Sequence, residues 1–221
     1  MIRRSISALS LLLLAAVPLT AQMKEKDPDK KVDGGALPAG WMGRTDRANQ
    51  KLEDAKFVTM GSGYHVTTGP AAIYYTDKMK TKGPFTASAT FRQTKKPTHP
   101  EAYGMIFMGN KLDTPDQNYA YFLVRGDGKF LVNHRAGADV HKIIDWTDNA
   151  AVKKEDAAGV ATNTLGIDAS KPDSVRLMVN GVQVAAIEGS HLGSTDGYVG
   201  MRVNHNLDVH VSDLKVGAKQ K

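Results

Sequence analysis

From Trp41 onward the chain alternates: apolar residues recur at every second position in short runs, and glycine, proline and Asn/Asp turns end each run. Period two places successive side chains on opposite faces of a strand. Ala150 to Gly159 is the best helical candidate, and it is short. Many short strands at fairly regular spacing build a sandwich or a barrel. With no helical layer to cover it, so extensive a sheet must pack on another sheet. The expected fold is all-β, an antiparallel two-sheet β-sandwich of jelly-roll type over residues 40–217, with a tail at 218–221.

Two hairpins resolve to single side chains. In VRLMVNGVQVAA, Asn180-Gly181 is the preferred type I′ pair, because both central residues need positive φ. Pairing Val179 with Val182 sends Val175, Leu177, Val179, Val182 and Val184 to one face. In NYAYFLVRGDGKFLVNHRAG, a Gly126-Asp127-Gly128 loop pairs Arg125 with Lys129. Ala120, Phe122, Val124, Phe130 and Val132 then share the inner face, with Tyr119, Tyr121, Asn133 and Arg135 outside. Along GYVGMRVNHNLDVHVSDLKV, Val199, Met201 and Val203 point in while Tyr198, Arg202 and Asn204 point out. Leu214 and Val216 fall out of phase with Val209 and Val211, which predicts a bulge near Asp213. The strand AYGMIFMG is apolar on both faces and is expected to be central.

The amino terminus reads differently. Arg3 and Arg4 precede an apolar run from Ile6 to Leu19, and Leu19-Thr20-Ala21 ends it with a small residue. That is the pattern of a secretory signal peptide over residues 1–21, which implies export to the periplasm or the medium. Residues 22–39, with the mixed-charge run KEKDPDKKVD, read as a charged flexible linker. No transmembrane segment is expected in the mature chain. The chain has no cysteine, which excludes disulfides, a zinc-cysteine site, a thiol nucleophile and a lipoprotein anchor. The formal charge of +6 falls to +4 once Arg3 and Arg4 are removed, and the remaining bases are interspersed with acids. A nucleic-acid partner calls for a basic patch or stripe, so none is expected.

The ordered set EAYGMIFMGN, NYAYFLVRGDGKFLVNHRAG, VRLMVNGVQVA and GYVGMRVNHNLDVHVSDLKV resembles the concanavalin A-like lectin/glucanase superfamily. Within it, the chain is most similar to secreted bacterial laminin-G-like domains and to the related DUF1080 or 3-keto-disaccharide hydrolase family. The resemblance covers residues 40–217 and implies saccharide binding on the outer face of one sheet. It departs from the hydrolase group at Tyr103-Gly104-Met105-Ile106, where that group carries Asn-Ser-Gly-Ile.

Laminarinase-type members of the superfamily need Glu-x-Asp-x-x-Glu on one strand, so that one carboxyl acts on the sugar while the other protonates the leaving oxygen. None of Glu25, Glu53, Glu101, Glu155 and Glu188 sits in that pattern. The expectation is a non-catalytic, lectin-like protein whose partner is a glycan or small saccharide. The alternative is a carbohydrate-active enzyme of the 3-keto-disaccharide or glycoside hydrolase type, using Asp145, Glu101 or His134. A structural or adhesion role in the cell envelope is a third reading. The outward set Tyr119, Tyr121, Asn133, Arg135, Tyr198, Arg202 and Asn204 offers aromatic rings for sugar C–H faces and fixed donors for hydroxyls. Trp146 and His134 would close the ends of a groove. No cofactor is expected apart from calcium, for which Asp113, Asp116 and Asn118 could supply loop oxygens. His205 and His210, five apart, would point to opposite faces of a continuous strand. Arg125-Gly126-Asp127 spells an adhesion tripeptide that its turn geometry accounts for.

Overall fold

Both resolved hairpins form in the expected register. Val179 pairs with Val182 across Asn180 (φ 51°) and Gly181 (φ 83°), and Arg125 pairs with Lys129. The structure, a computed structural model, describes residues 27–171, 173–189 and 194–218. The expected signal peptide and residues 219–221 lie outside the described residues.

Among the described residues, fourteen strands form two seven-stranded antiparallel sheets. The first runs β1 (Trp41–Thr45), β4 (Ala72–Thr81), β13 (Gly197–Val203), β6 (Ala102–Asn110), β7 (Asn118–Arg125), β8 (Lys129–Ala136), β9 (Asp139–Asp148). The second runs β12 (Val182–Glu188), β11 (Ser174–Val179), β10 (Ala161–Lys171), β5 (Phe85–Gln93), β14 (Asp208–Ala218), β3 (Gly63–Thr68), β2 (Ala55–Met60). Between them lies one core, including Phe85, Phe91, Tyr103, Met105, Phe122, Leu165, Leu177, Met201 and Val211. Strand β6 is buried on both faces and central, as its composition required. The bulge in β14 falls between Ser212 and Lys215, with Asp213 at φ 51°. Released from strict alternation there, Leu214 and Val216 still reach the core.

Three expectations change. Residues 150–159 form turns rather than a helix. The stretch is too short to offset helix nucleation, and tertiary bonds claim its backbone: the Glu155 N–H donates to the Gly126 carbonyl (2.8 Å) and the Lys153 N–H to Asn163 Oδ1 (2.8 Å). Val182 is 54% exposed although its partner Val179 is buried. It stands at the hairpin tip on an edge strand. A shift in register after Met178 sets Leu177 opposite Ala185, so Ile187 takes the inward place. Residues 27–39, expected as part of a flexible linker, are tied to the body. The side chain of Asn206 (φ 58°) accepts from the Lys30 N–H at 2.7 Å and donates to the Pro28 carbonyl at 3.1 Å. The Gly34 N–H donates to the Glu53 carbonyl, and Leu37 packs on the core.

Candidate binding site

Alternation turns Tyr119 and Tyr121 away from the second sheet, as expected, but the structure does not leave them open. They are 1% and 6% exposed and belong to a second apolar cluster on the outer face of the first sheet, with Ile73, Tyr75, Ile106 and Leu123. Leu112, from the loop after β6, packs into that cluster, and Arg44 holds the loop by donating to the Leu112 and Thr114 carbonyls. The expected aromatic platform is therefore a floor. Period two gives a side chain its direction and says nothing about which loop folds over it.

Above this floor sits Arg202. Its guanidinium lies 5.0 Å from the Tyr121 ring centroid and donates to Tyr119 Oη at 3.4 Å. Two further bonds of 2.6 Å each clamp it bidentately to Asp46, the residue after β1. Burial alone would raise the Asp46 carboxyl. The paired Arg202 charge and its hydrogen bonds, with Arg135 and Arg47 nearby, outweigh that and hold it below the ordinary carboxylate range. Burial likewise opposes the Arg202 charge, and Asp46 more than restores it.

Arg202 and Asp46 form one side of a cavity of about 300 Å³ whose other walls include Asp29, Gln50, Glu101, Asn204 and His205, with Arg47 and Ala71. His205 donates from Nε2 to Glu101 (2.8 Å) and from Nδ1 to Asp29 (3.1 Å). The bond to Glu101 dominates, outweighs burial, and lifts the imidazole pKa to about 9. The residue is therefore an imidazolium at neutral pH. Asn204 donates to the second Glu101 oxygen at 3.2 Å. Three carboxylates thus face three cations, Arg47, Arg202 and His205. Two buried atoms of the lining residues, Arg202 Nε and Asn204 Oδ1, have no protein partner.

Of the residues singled out in the sequence, Arg202, Asn204 and Glu101 line this cavity. Arg135 braces it from outside, donating to the Asp46 carbonyl at 3.2 Å. Asn133 donates to Tyr121 Oη at 3.0 Å. Tyr198 is engaged with Asp77 (2.8 Å) and Trp146 with Arg125 (4.2 Å), and neither lines this cavity. Glu101, Asp145 and His134 do not share a site. Asp145 is exposed on β9, its carboxyl lowered by hydrogen bonds from Lys142 and the Trp146 N–H. His134 stacks on His141 and meets Asn118 Oδ1, and burial lowers its pKa. Among the described residues, no three His, Asp or Glu side chains are grouped to hold a metal ion. Of the loop set, Asp116 pairs with Lys111 (3.8 Å) and Asp113 is exposed. Arg125 closes on Asp127 (2.5 Å), so the Arg-Gly-Asp turn is folded onto itself.

Sequence reading missed Asp29, Asp46, Gln50 and the role of His205. His205 and His210 are not on one strand, because β13 ends at Val203 and Asn206 turns the chain before β14. His210 instead stands opposite His65 in the β14–β3 pair.

The elevated pKa of His205 has a measurable consequence. A folded-state value near 9, against 6.5 for free imidazole, makes its contribution complete below about pH 6.5 and lost as pH rises through 9. Screening at this partly open site reduces it to about 1 kcal/mol. The melting temperature is expected to fall between pH 7 and pH 10 by more in the wild type than in His205→Gln. Parallel melting curves would show the histidine to be inert.

No protein-family model matches this chain, and no curated protein sequence matches it. Solved structures do share its shape. The carbohydrate-binding module CBM66 from Bacillus subtilis aligns with a TM-score of 0.58 at 12% identity, covering 81% of this chain and 96% of that one. The Bacteroides ovatus mixed linkage glucan PUL GH16, solved in complex with a G4G4G3G product, aligns at 0.57 and 10% identity over 84% and 98%. At such identities the likeness defines the fold. The chain is a concanavalin A-like jelly-roll β-sandwich.

Proposed function

We propose that the protein is an exported, non-catalytic saccharide-binding module and that the Arg202–Glu101–His205 cavity is its binding site. The carrying observation is the balanced polar lining: three carboxylates and three cations, each fixed by a partner, around about 300 Å³. A lining without net charge suits a neutral ligand. A hydroxyl both donates and accepts, so each sugar OH can bridge a carboxylate and a guanidinium or amide. The volume falls at the small end of ligand pockets, in keeping with one sugar ring. The fold supports the reading, since the Bacillus subtilis neighbour is named for carbohydrate binding. Export rests on the signal-like residues 1–21. Placement nearest the laminin-G-like and DUF1080-related domains rests on the VNG and GYVGMR segments.

The enzymatic alternative draws on Glu101, which lies in the same cavity. Asp46 is held ionised by Arg202 and is a poor proton donor, whereas glycoside hydrolysis requires an acid beside a second carboxylate. Titration calorimetry against glucose, galactose, mannose, fructose and their oligomers should give saturable binding. Glu101→Gln, isosteric but uncharged, should weaken it about tenfold or more, because it strips a charged acceptor from His205 and the ligand. Release of reducing ends from the same panel would favour the enzyme. No binding to any member, or full affinity in Glu101→Gln, would reject the site.

A further inference from the structure

The 300 Å³ cavity shares a wall with a second, larger one of about 590 Å³, and both are lined by Asp29 and Gln50. The two shared residues are hydrogen-bonded to each other: Gln50 Nε2 donates to Asp29 Oδ2 at 2.7 Å. Asp29 spans the divide, since its other oxygen accepts from His205 on the side of the first cavity. Beyond it the second cavity is walled by Lys30, Lys31, Asp33, Asp54 and Pro70. One flank is thus the backbone segment 28–34, which Asn206 grips at Pro28 and Lys30 and which the Glu53 carbonyl holds at Gly34. That segment is anchored at both ends, so this flank of the second cavity is a formed part of the molecule.

Resting on the saccharide reading of the first cavity, we propose that the second is an adjoining subsite, so that the ligand is an oligosaccharide of two or more units crossing the Asp29–Gln50 bridge. Three features carry this. The volumes adjoin through one side-chain pair. The bridge offers a carboxylate and an amide at the junction, where a glycosidic linkage and its flanking hydroxyls would lie. Lysines and aspartates again face each other across the larger space, which continues the mixed donor and acceptor lining of the smaller. Asp29 and Gln50 become the residues that set chain-length preference. Asp29 also places the amino-terminal segment within the recognition surface.

The absence of cysteine from the chain allows a clean test. Lys31→Cys, labelled with an environment-sensitive fluorophore, reports on the second cavity alone, while calorimetry of the unlabelled wild type reports total affinity. The probes are glucose, galactose, mannose and fructose and their homo-oligomers of two to four units. For whichever series binds, the dimer or trimer should bind about tenfold more tightly than the monomer, equivalent to one added subsite contact of about 1.4 kcal/mol. Only the oligomers should shift the fluorescence. Asp29→Ala should shrink the ratio between oligomer and monomer affinity. Equal affinities for monomer and oligomer, with a silent label, would overturn the subsite and leave the first cavity standing. Absence of all binding would overturn both together.

Discussion

Arg202→Ala is expected to cost about 3–5 kcal/mol of folding stability and to abolish saccharide binding, because it leaves Asp46 uncompensated. The arginine is 6% exposed, and its bidentate clamp joins β13 to the loop after β1. Without it Asp46 keeps only the more distant Arg135 and Arg47, and Tyr119 Oη loses its donor. Arg202→Lys should recover little, since an ammonium cannot make the planar double contact. The double variant Asp46→Ala/Arg202→Met should be less destabilised than the sum of its parts, because no buried charge is left alone. Urea unfolding of the wild type, Arg202→Ala, Arg202→Lys, Arg202→Met, Asp46→Ala and the double variant measures this. A loss below about 1 kcal/mol in Arg202→Ala would place the pair among inert surface ion pairs. The Asp46 carboxyl sits below its ordinary value in the folded state, so its contribution is present at neutral pH and lost as pH falls through the acid range.

That Arg202 and Asn204 would share an outward phase was legible from GYVGMRVNHN, and so was the dry phase of Val199, Met201 and Val203. The reason is local. Strand alternation and the chemistry of Asn180-Gly181 act within a few residues, so the hairpins and the β14 bulge can be read from neighbours in the chain. The site's other half was not legible. Asp29 comes from the segment before β1 and Asp46, Glu101 and His205 from three separate connections, brought together by a topology in which β13 lies between β4 and β6. No spacing in the sequence encodes that meeting. His205 carried the strongest available hint, as a titratable residue just past an outward Arg-x-Asn, but a strand was assumed to continue where Asn206 turns it. The tyrosines show the same boundary from the other side. Their direction followed from the pleat, while their burial followed from Leu112, which returns from a loop. On the proposed reading, hydrogen bonding to charged, fixed groups replaces ring stacking: of the expected contacts, those on β7 and β8 drop out, while Arg202 and Asn204 at the end of β13 stay.

Asn163→Leu is expected to destabilise the fold by about 2–4 kcal/mol, even though it puts an apolar residue at an inward position of an alternating strand. Asn163 stands between Ala161 and Leu165 on β10, wholly buried. Its Oδ1 accepts from the Lys153 N–H (2.8 Å) and from Asn180 Nδ2 (2.9 Å), while its Nδ2 donates to the Lys153 carbonyl (3.1 Å). One amide thereby ties the 150–159 loop to the Asn180-Gly181 hairpin. A leucine of similar size would supply dispersion contacts but leave the part-buried Lys153 N–H and C=O without their protein partner, at about 1–2 kcal/mol for each bond lost. Tyr103→Phe is the matched control. It removes only the hydroxyl that accepts from Asn163 at 3.3 Å, a bond near the long limit, and should cost about 1 kcal/mol or less. Urea unfolding gives the free energies, and hydrogen exchange locates the effect. Protection should fall first across residues 150–160 in Asn163→Leu and stay intact in Tyr103→Phe. Equal losses in the two variants would mean that the amide fills space there and does not organise the loop.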